Sequence, residues 1–171
     1  MRTQAFWKVV VADETNLLTR LIDLLIEHRI RFCVLDGVNA YTEPVVSLDL
    51  DIVIAVDQLP QAGQLLGREF IVERFPHSLN VSAPGSDLRV QIQTDPRYEE
   101  FLSRATVREI LGLRLPVASL EDVLQGKLWA VLDPARQPSK RQKDLADIAR
   151  LLETYPHLRQ RVPAEVLARL V

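Results

Sequence analysis

The sequence predicts an α/β (α+β) domain in which a mixed sheet carries flanking helices and a C-terminal helical extension. Three observations lead there. The 171 residues are 47% hydrophobic and 26% charged, enough apolar material for one compact core. Short aromatic and branched runs at Arg31–Leu35 and Leu48–Val56 are separated from one another by turn signals. The last third, from Ser119 onward, keeps helical spacing almost throughout. The expected division is an α/β core over residues 1–118 with a helical segment over 119–171 packed on it.

Taken in order, Asn16 to Ile26 places apolar residues at helical intervals, with Thr15 or Asn16 as N-cap and an end near Arg29. Arg31-Phe32-Cys33-Val34-Leu35 is a strand that stops at the turn Asp36-Gly37. Leu48 to Val56 alternates and then becomes continuously apolar, the pattern of a central strand. A helix over Leu59–Leu66 leads into a stretch with Pro76, Pro84, Gly85 and Ser86, read as short strands and turns. Leu88, Val90 and Ile92 alternate with Arg89, Gln91 and Gln93, so one face of this strand is apolar and the other polar. Pro96 to Ala105 suits a short helix begun by proline, and Val107–Val117 is extended with an interruption at Gly112. Helices then follow at Ser119–Leu132, Ser139–Glu153 and Pro163–Leu170, the first with acids near its N-terminus.

The composition excludes several classes. A net charge of −2 is not the strongly basic footprint of a general nucleic-acid binder. Locally the balance differs: Arg136 to Arg161 holds seven basic residues against three acids, so one end of the molecule attracts phosphates. The run Ser139-Lys140-Arg141-Gln142-Lys143 is open to two readings, an RNA or phosphate contact or an ordinary solvated helix face. Apolar stretches are broken well short of the roughly 18 residues of a membrane span, so no membrane association is expected. The first residues lack a secretory signal pattern and Cys33 stands alone, which makes a cytoplasmic setting the expectation. His28, His77 and His157 have no metal-ligand spacing. Cys33, between Phe32 and Val34, reads as a small buried hydrophobe, and Trp7 and Trp129 as packing residues.

The chemistry concentrates on Ser47-Leu48-Asp49-Leu50-Asp51-Ile52. In a strand, residues two apart share a face about 7 Å apart, so Asp49 and Asp51 converge while Leu48, Leu50 and Ile52 face the other way. Magnesium takes hard oxygen ligands and uses one or two protein carboxylates, leaving other positions to water and phosphates. Two acids on a mostly apolar strand also repel and lose hydration unless a cation offsets them. The competing reading is an edge strand with both aspartates in solvent.

Leu35-Asp36-Gly37-Val38, then ten residues, then Asp49-Leu50-Asp51-Ile52 resembles the nucleotidyltransferase pattern of strand, glycine turn and aspartate pair. Downstream, Val117-Ala118-Ser119-Leu120-Glu121-Asp122-Val123-Leu124, Lys127-Leu128-Trp129-Ala130 and Arg141-Gln142-Lys143-Asp144-Leu145-Ala146-Asp147-Ile148 resemble the helical tail of AbiEii-like abortive-infection nucleotidyltransferases, which include bacterial toxins of toxin–antitoxin pairs. The resemblance covers about Leu21 to Glu153. It implies a nucleotidyltransferase-like mixed sheet, Asp49 and Asp51 as catalytic and Mg2+-binding residues, and a nucleoside triphosphate (NTP) as substrate. It also implies nucleotide contacts from Gly37, Ser47 and Lys127, with Arg89, Lys143 and Asp144 at the cleft rim. For Lys127 the alternative is an exposed helix lysine. Possible partners on this reading are an RNA or protein acceptor and an antitoxin.

Two departures stand out. Val38 replaces the second small residue of the glycine turn. Active members carry a third carboxylate on a later strand, and here parity places Gln91 at that position. A neutral amide neither accepts the acceptor's proton nor balances a second metal charge. Asp87 has the right parity at the wrong height, and Asp95 before Pro96 reads as a turn or cap residue. The sequence therefore supports an Mg2+-dependent enzyme transferring a nucleotidyl group to a hydroxyl, with two rivals: a catalytically impaired binding module or toxin–antitoxin component, and an RNA binder using the basic helical end.

Overall fold

The computed structural model describes residues 16–35, 38–42, 49–110 and 112–170. The first helix among the described residues, α1 (Leu17–Glu27), buries Leu17, Leu18, Leu21, Ile22 and Leu25 along one stripe, as its periodicity predicts. It is followed by β1 (Phe32–Val34) and a four-residue helix α2 (Val38–Tyr41). That helix is a departure from the sequence reading, which placed only a turn there; Val38 and Tyr41 are buried, and the Tyr41 hydroxyl donates to the Ala118 carbonyl at 2.8 Å. Tertiary anchoring thus decides a segment too short to be a helix by propensity.

Strand β2 (Asp49–Ile54) leads through a 3-10 turn (Val56–Gln58) to α3 (Leu59–Glu69). The stretch read as short strands and turns contains the hairpin β3 (Ile71–Phe75) and β4 (Ser78–Ser82), and β5 (Arg89–Gln93) comes next. The expected helix at Pro96–Ala105 is two pieces, a 3-10 turn (Pro96–Tyr98) and α4 (Phe101–Arg104). The extended stretch around Gly112 is a hairpin of β6 (Thr106–Ile110) and β7 (Leu113–Val117), and Gly112 takes φ 78°, which a side chain would oppose. Helices α5 (Leu120–Leu132) and α6 (Pro138–Thr154), a 3-10 stretch (Pro156–Arg161) and α7 (Ala164–Leu167) complete the chain.

Among the described residues the strands form one mixed seven-stranded sheet in the order β3-β4-β5-β2-β1-β7-β6. Strand β2 is its middle member, antiparallel to β1 and parallel to β5. The reading of Asp49 and Asp51 as edge-strand residues is therefore overturned, because both neighbours of β2 are occupied. Leu50, Ile52, Val53 and Ile54 are buried, consistent with a strand covered on both faces over its second half. A single hydrophobic cluster joins Leu50 and Ile52 of the sheet with Val123 and Leu128 of α5 and Ile148 and Leu151 of α6. Burial of these residues holds the C-terminal helices against the sheet, and this contact places α5 and α6 beside the polar end of β2.

Cys33 is fully buried, and loss of hydration pushes its thiol up to about 12. That fits its reading as a small core hydrophobe. Among the described residues, no helix is long and apolar enough to cross a membrane.

Candidate functional site

The β2–β5 register sets the floor of the site. Asp49 lies opposite Arg89 and Asp51 opposite Gln91, while Gln91 is in turn opposite Asn80 of β4. Three adjacent strands thus bring a carboxylate, an amide and a second amide into one row, since side chains at paired positions of a sheet point to the same face. Asp49 is exposed, and Asp51 and Gln91 are half-buried.

A cleft of about 450 Å³ opens over this row. Asp49, Asp51, Arg89 and Gln91 line it, and so do Lys127, Lys143 and Asp144 from the helices. Seven of the nine residues singled out from the sequence thus border one cavity. Gly37 and Ser47 lie outside the described residues. Asp87 is exposed and away from the cleft lining. Asp95 does line it, but caps the 3-10 turn by accepting from the Arg97 amide at 3.1 Å. It follows Gln91 by four residues, which places it roughly 13 Å along an extended chain from the Gln91 position.

Helix α5 supplies the wall. Its N-terminus is fixed by Ser119, whose hydroxyl oxygen accepts from the Asp122 amide at 3.1 Å, and Asp122 receives a two-point contact from Arg104 at 2.8 and 3.1 Å. With that end held, Val123, Gly126, Lys127 and Ala130 fall on one stripe and face the cleft.

Lys127 is not an exposed helix lysine: only 8% of it is accessible. Its Nζ lies 2.9 Å from Asp147 Oδ2 and 3.5 Å from Asp144 Oδ1. Asp144, expected at the rim, is instead buried, and its Oδ2 accepts from Arg136 Nε at 2.9 Å. On the other side Arg150 donates to Asp147 at 3.2 Å and to the Thr42 hydroxyl at 2.8 Å. The result is a chain of alternating charges, Arg150–Asp147–Lys127–Asp144–Arg136, anchored at one end by the Thr42 hydroxyl and reaching the cleft at the other. Removal from water is costly for each of these groups, and the opposite charges and hydrogen bonds on either side offset that cost. Lys143 and Lys140 are exposed and line the cleft.

The donor set on the floor consists of oxygen ligands. Asp49 and Asp51 match the one or two carboxylates that magnesium commonly takes from a protein. Among the described residues no group of three or more His, Cys, Asp or Glu could hold a metal alone, so an ion here would complete its shell with water and phosphate oxygens. Asn80 adds a buried side-chain oxygen, Oδ1, with no hydrogen-bond donor among the described residues. The polar cavity it borders is suited to a donor from water or a ligand.

The sequence reading did not single out Asn80, Arg97, Tyr98 or Arg136 for the site. The helical stripe 123/126/127/130 was a usable signal for the wall, whereas the partners from β4 and from the turn after β5 depend on sheet order, which local periodicity does not contain. Trp129 packs, as expected: its ring stacks on Phe101 at 5.7 Å between centroids.

The model of one protein family, described as nucleotidyl transferase AbiEii toxin of type IV toxin–antitoxin systems, matches residues 26–170. No curated protein matches. Among solved structures, ANT(2")-Ia in complex with adenylyl-2"-tobramycin superposes with a TM-score of 0.61 at 12% identity, covering 91% of this chain and 97% of that one. The lincomycin-bound lincosamide antibiotic adenylyltransferase LnuA gives 0.53 at 11% identity, with 82% and 99% covered. An antigenic nucleotidyltransferase-like protein from Paracoccidioides brasiliensis gives 0.53 at 19% identity, with 96% and 85% covered. At these identities the likeness is one of fold.

Proposed function

The chain belongs to the AbiEii nucleotidyl transferase family, and from that premise we propose that its cleft binds a nucleoside triphosphate and transfers the nucleotidyl group to a hydroxyl of an RNA or protein acceptor. One observation carries this reading: Asp49 and Asp51, on the central strand, share a cavity with Lys127, Lys140 and Lys143 from helices α5 and α6 and with Arg136 from the loop between them. The aspartate pair on the sheet and the exposed lysines on α6 suit a metal–triphosphate, whose charges complement both. Lys140 and Lys143, being exposed, attract and hold the outer phosphates. Asp49 and Asp51 would hold Mg2+, which when bound neutralises phosphate charge as a Lewis acid.

In the transfer, the acceptor oxygen bonds to the α-phosphorus, the bond to the bridging oxygen breaks and pyrophosphate leaves. The Gln91 amide cannot take the acceptor's proton, which passes instead to water or to the departing pyrophosphate. Positioning and charge neutralisation therefore carry most of the rate enhancement on this reading. Labelled-nucleotide transfer with each of the four ribonucleotides, against RNA and protein acceptors, tests it; the adenylyltransferases among the fold neighbours make ATP the first to assay. Label found on no acceptor with any nucleotide contradicts the catalytic claim.

Gln91 favours a second reading. Its place beside Asp51 suits a family member that binds a nucleotide without turning it over and acts as the binding component of a toxin–antitoxin pair. Restoring an acid at position 91 separates the two readings.

A further inference from the structure

The cleft has an end that phosphate chemistry leaves unused. Where β5 runs into the 3-10 turn, Arg97 lies with its guanidinium 4.7 Å from the centroid of the Trp129 ring and 5.3 Å from that of Tyr98. Asp95 holds the same group by an Nε contact of 3.1 Å. Trp129 is in turn backed by Phe101, with ring planes only 4° apart, and Tyr98 meets both rings edge-on at 5.3 and 5.6 Å. Arg97, Tyr98 and Trp129 all border the cleft that holds Asp49 and Asp51, and the Arg97 side chain remains 47% exposed. A planar cation is thus pinned at its edge by a carboxylate and supported by aromatic rings, and is still accessible to a ligand.

We propose that Arg97, supported by Trp129 and Tyr98, is the stacking platform for the nucleobase of the bound nucleotide. The proposal rests on the nucleoside triphosphate reading above and adds the orientation: phosphates toward Lys140 and Lys143, base toward Arg97. Guanidinium planes stack on bases as aromatic rings do, and a plane already held in place loses little freedom when a base covers it. Such a platform tolerates any base, because every base has a π-face. Lysine keeps the charge at this position but supplies no plane.

The test is calorimetric titration of wild type, Arg97→Lys and Arg97→Gln with Mg-ATP, Mg-GTP and magnesium tripolyphosphate, with thermal melts as folding controls. Stacking at this magnitude predicts that both variants lose about tenfold in ATP and GTP affinity. Tripolyphosphate affinity should stay within about twofold of wild type, because stacking involves the base alone. Equal loss of all three ligands in Arg97→Gln, with rescue in Arg97→Lys, would make Arg97 a phosphate contact and overturn the platform. Unchanged ATP and GTP affinity in both variants would overturn it too, while leaving the triphosphate reading intact. Absence of any binding to wild type would overturn both readings together.

Discussion

Asp51 and Gln91 occupy directly opposed positions on parallel neighbouring strands, so a neutral amide lies beside the aspartate pair. Gln91→Asp tests what that amide does. If transfer is limited by the missing base, the variant should gain on the order of a hundredfold in labelled-nucleotide transfer, the scale at which a positioned base contributes. It should also melt lower than wild type without Mg2+ and recover when the ion is added, because an added carboxylate raises the local repulsion that a cation relieves. No gain in transfer with normal folding would favour the binding-module reading.

Lys127 and Asp147 are both buried and 2.9 Å apart. Lys127→Met retains the length of the side chain and removes its charge, leaving Asp147 to Arg150 and Asp144 to Arg136. Loss of one member of a buried ion set destabilises by about 3 kcal/mol. Urea denaturation should register that loss as a lower midpoint with unchanged slope. A change below about 0.5 kcal/mol, the range of ordinary surface substitutions, would show that the network adds nothing to stability.

Most of the fold was legible because the elements have strong periods. The stripe of α1, the alternation at Leu88, Val90 and Ile92 and the glycine at position 112 each specify local structure that the chain then adopts. Asp49 and Asp51 were legible for the same reason, since parity alone puts them on one face. Helix α2 was missed because its four residues are held by contacts made far along the chain, such as Tyr41 to Ala118. The burial of Asp144 and Asp147 was missed because charged residues on a helix normally face water; the approach of Lys127 from α5, together with Arg136 and Arg150, makes their burial tolerable. Arg97 escaped notice because its role depends on Trp129, thirty-two residues later, packing against the same turn.

Cys33 predicts the alkaline limb of stability. Its thiol is pushed from 9.0 to about 12 in the fold, so between those values the unfolded chain releases a proton that the folded chain retains. The term is fully present below pH 9.0 and is lost as pH rises toward 12, with a slope of about 1.4 kcal/mol per pH unit. Tyr98 and Tyr41, both raised chiefly by burial, act in the same direction. Cys33→Ala should flatten the fall in urea stability measured from pH 9 to 10.5. An identical slope in the variant would contradict the assignment. The same burial should keep Cys33 unreactive toward iodoacetamide until the protein unfolds.

The most direct measurement is calorimetric titration of ATP into wild type and into Asp49→Asn/Asp51→Asn, with and without Mg2+. A cleft built for a metal–triphosphate requires saturable, Mg2+-dependent binding to wild type. It also requires a loss of at least about tenfold in the double variant, since both carboxylates that would hold the ion are gone. Equal binding by the two proteins, or no Mg2+-dependent binding of any nucleotide to wild type, would contradict the proposed function of the cleft.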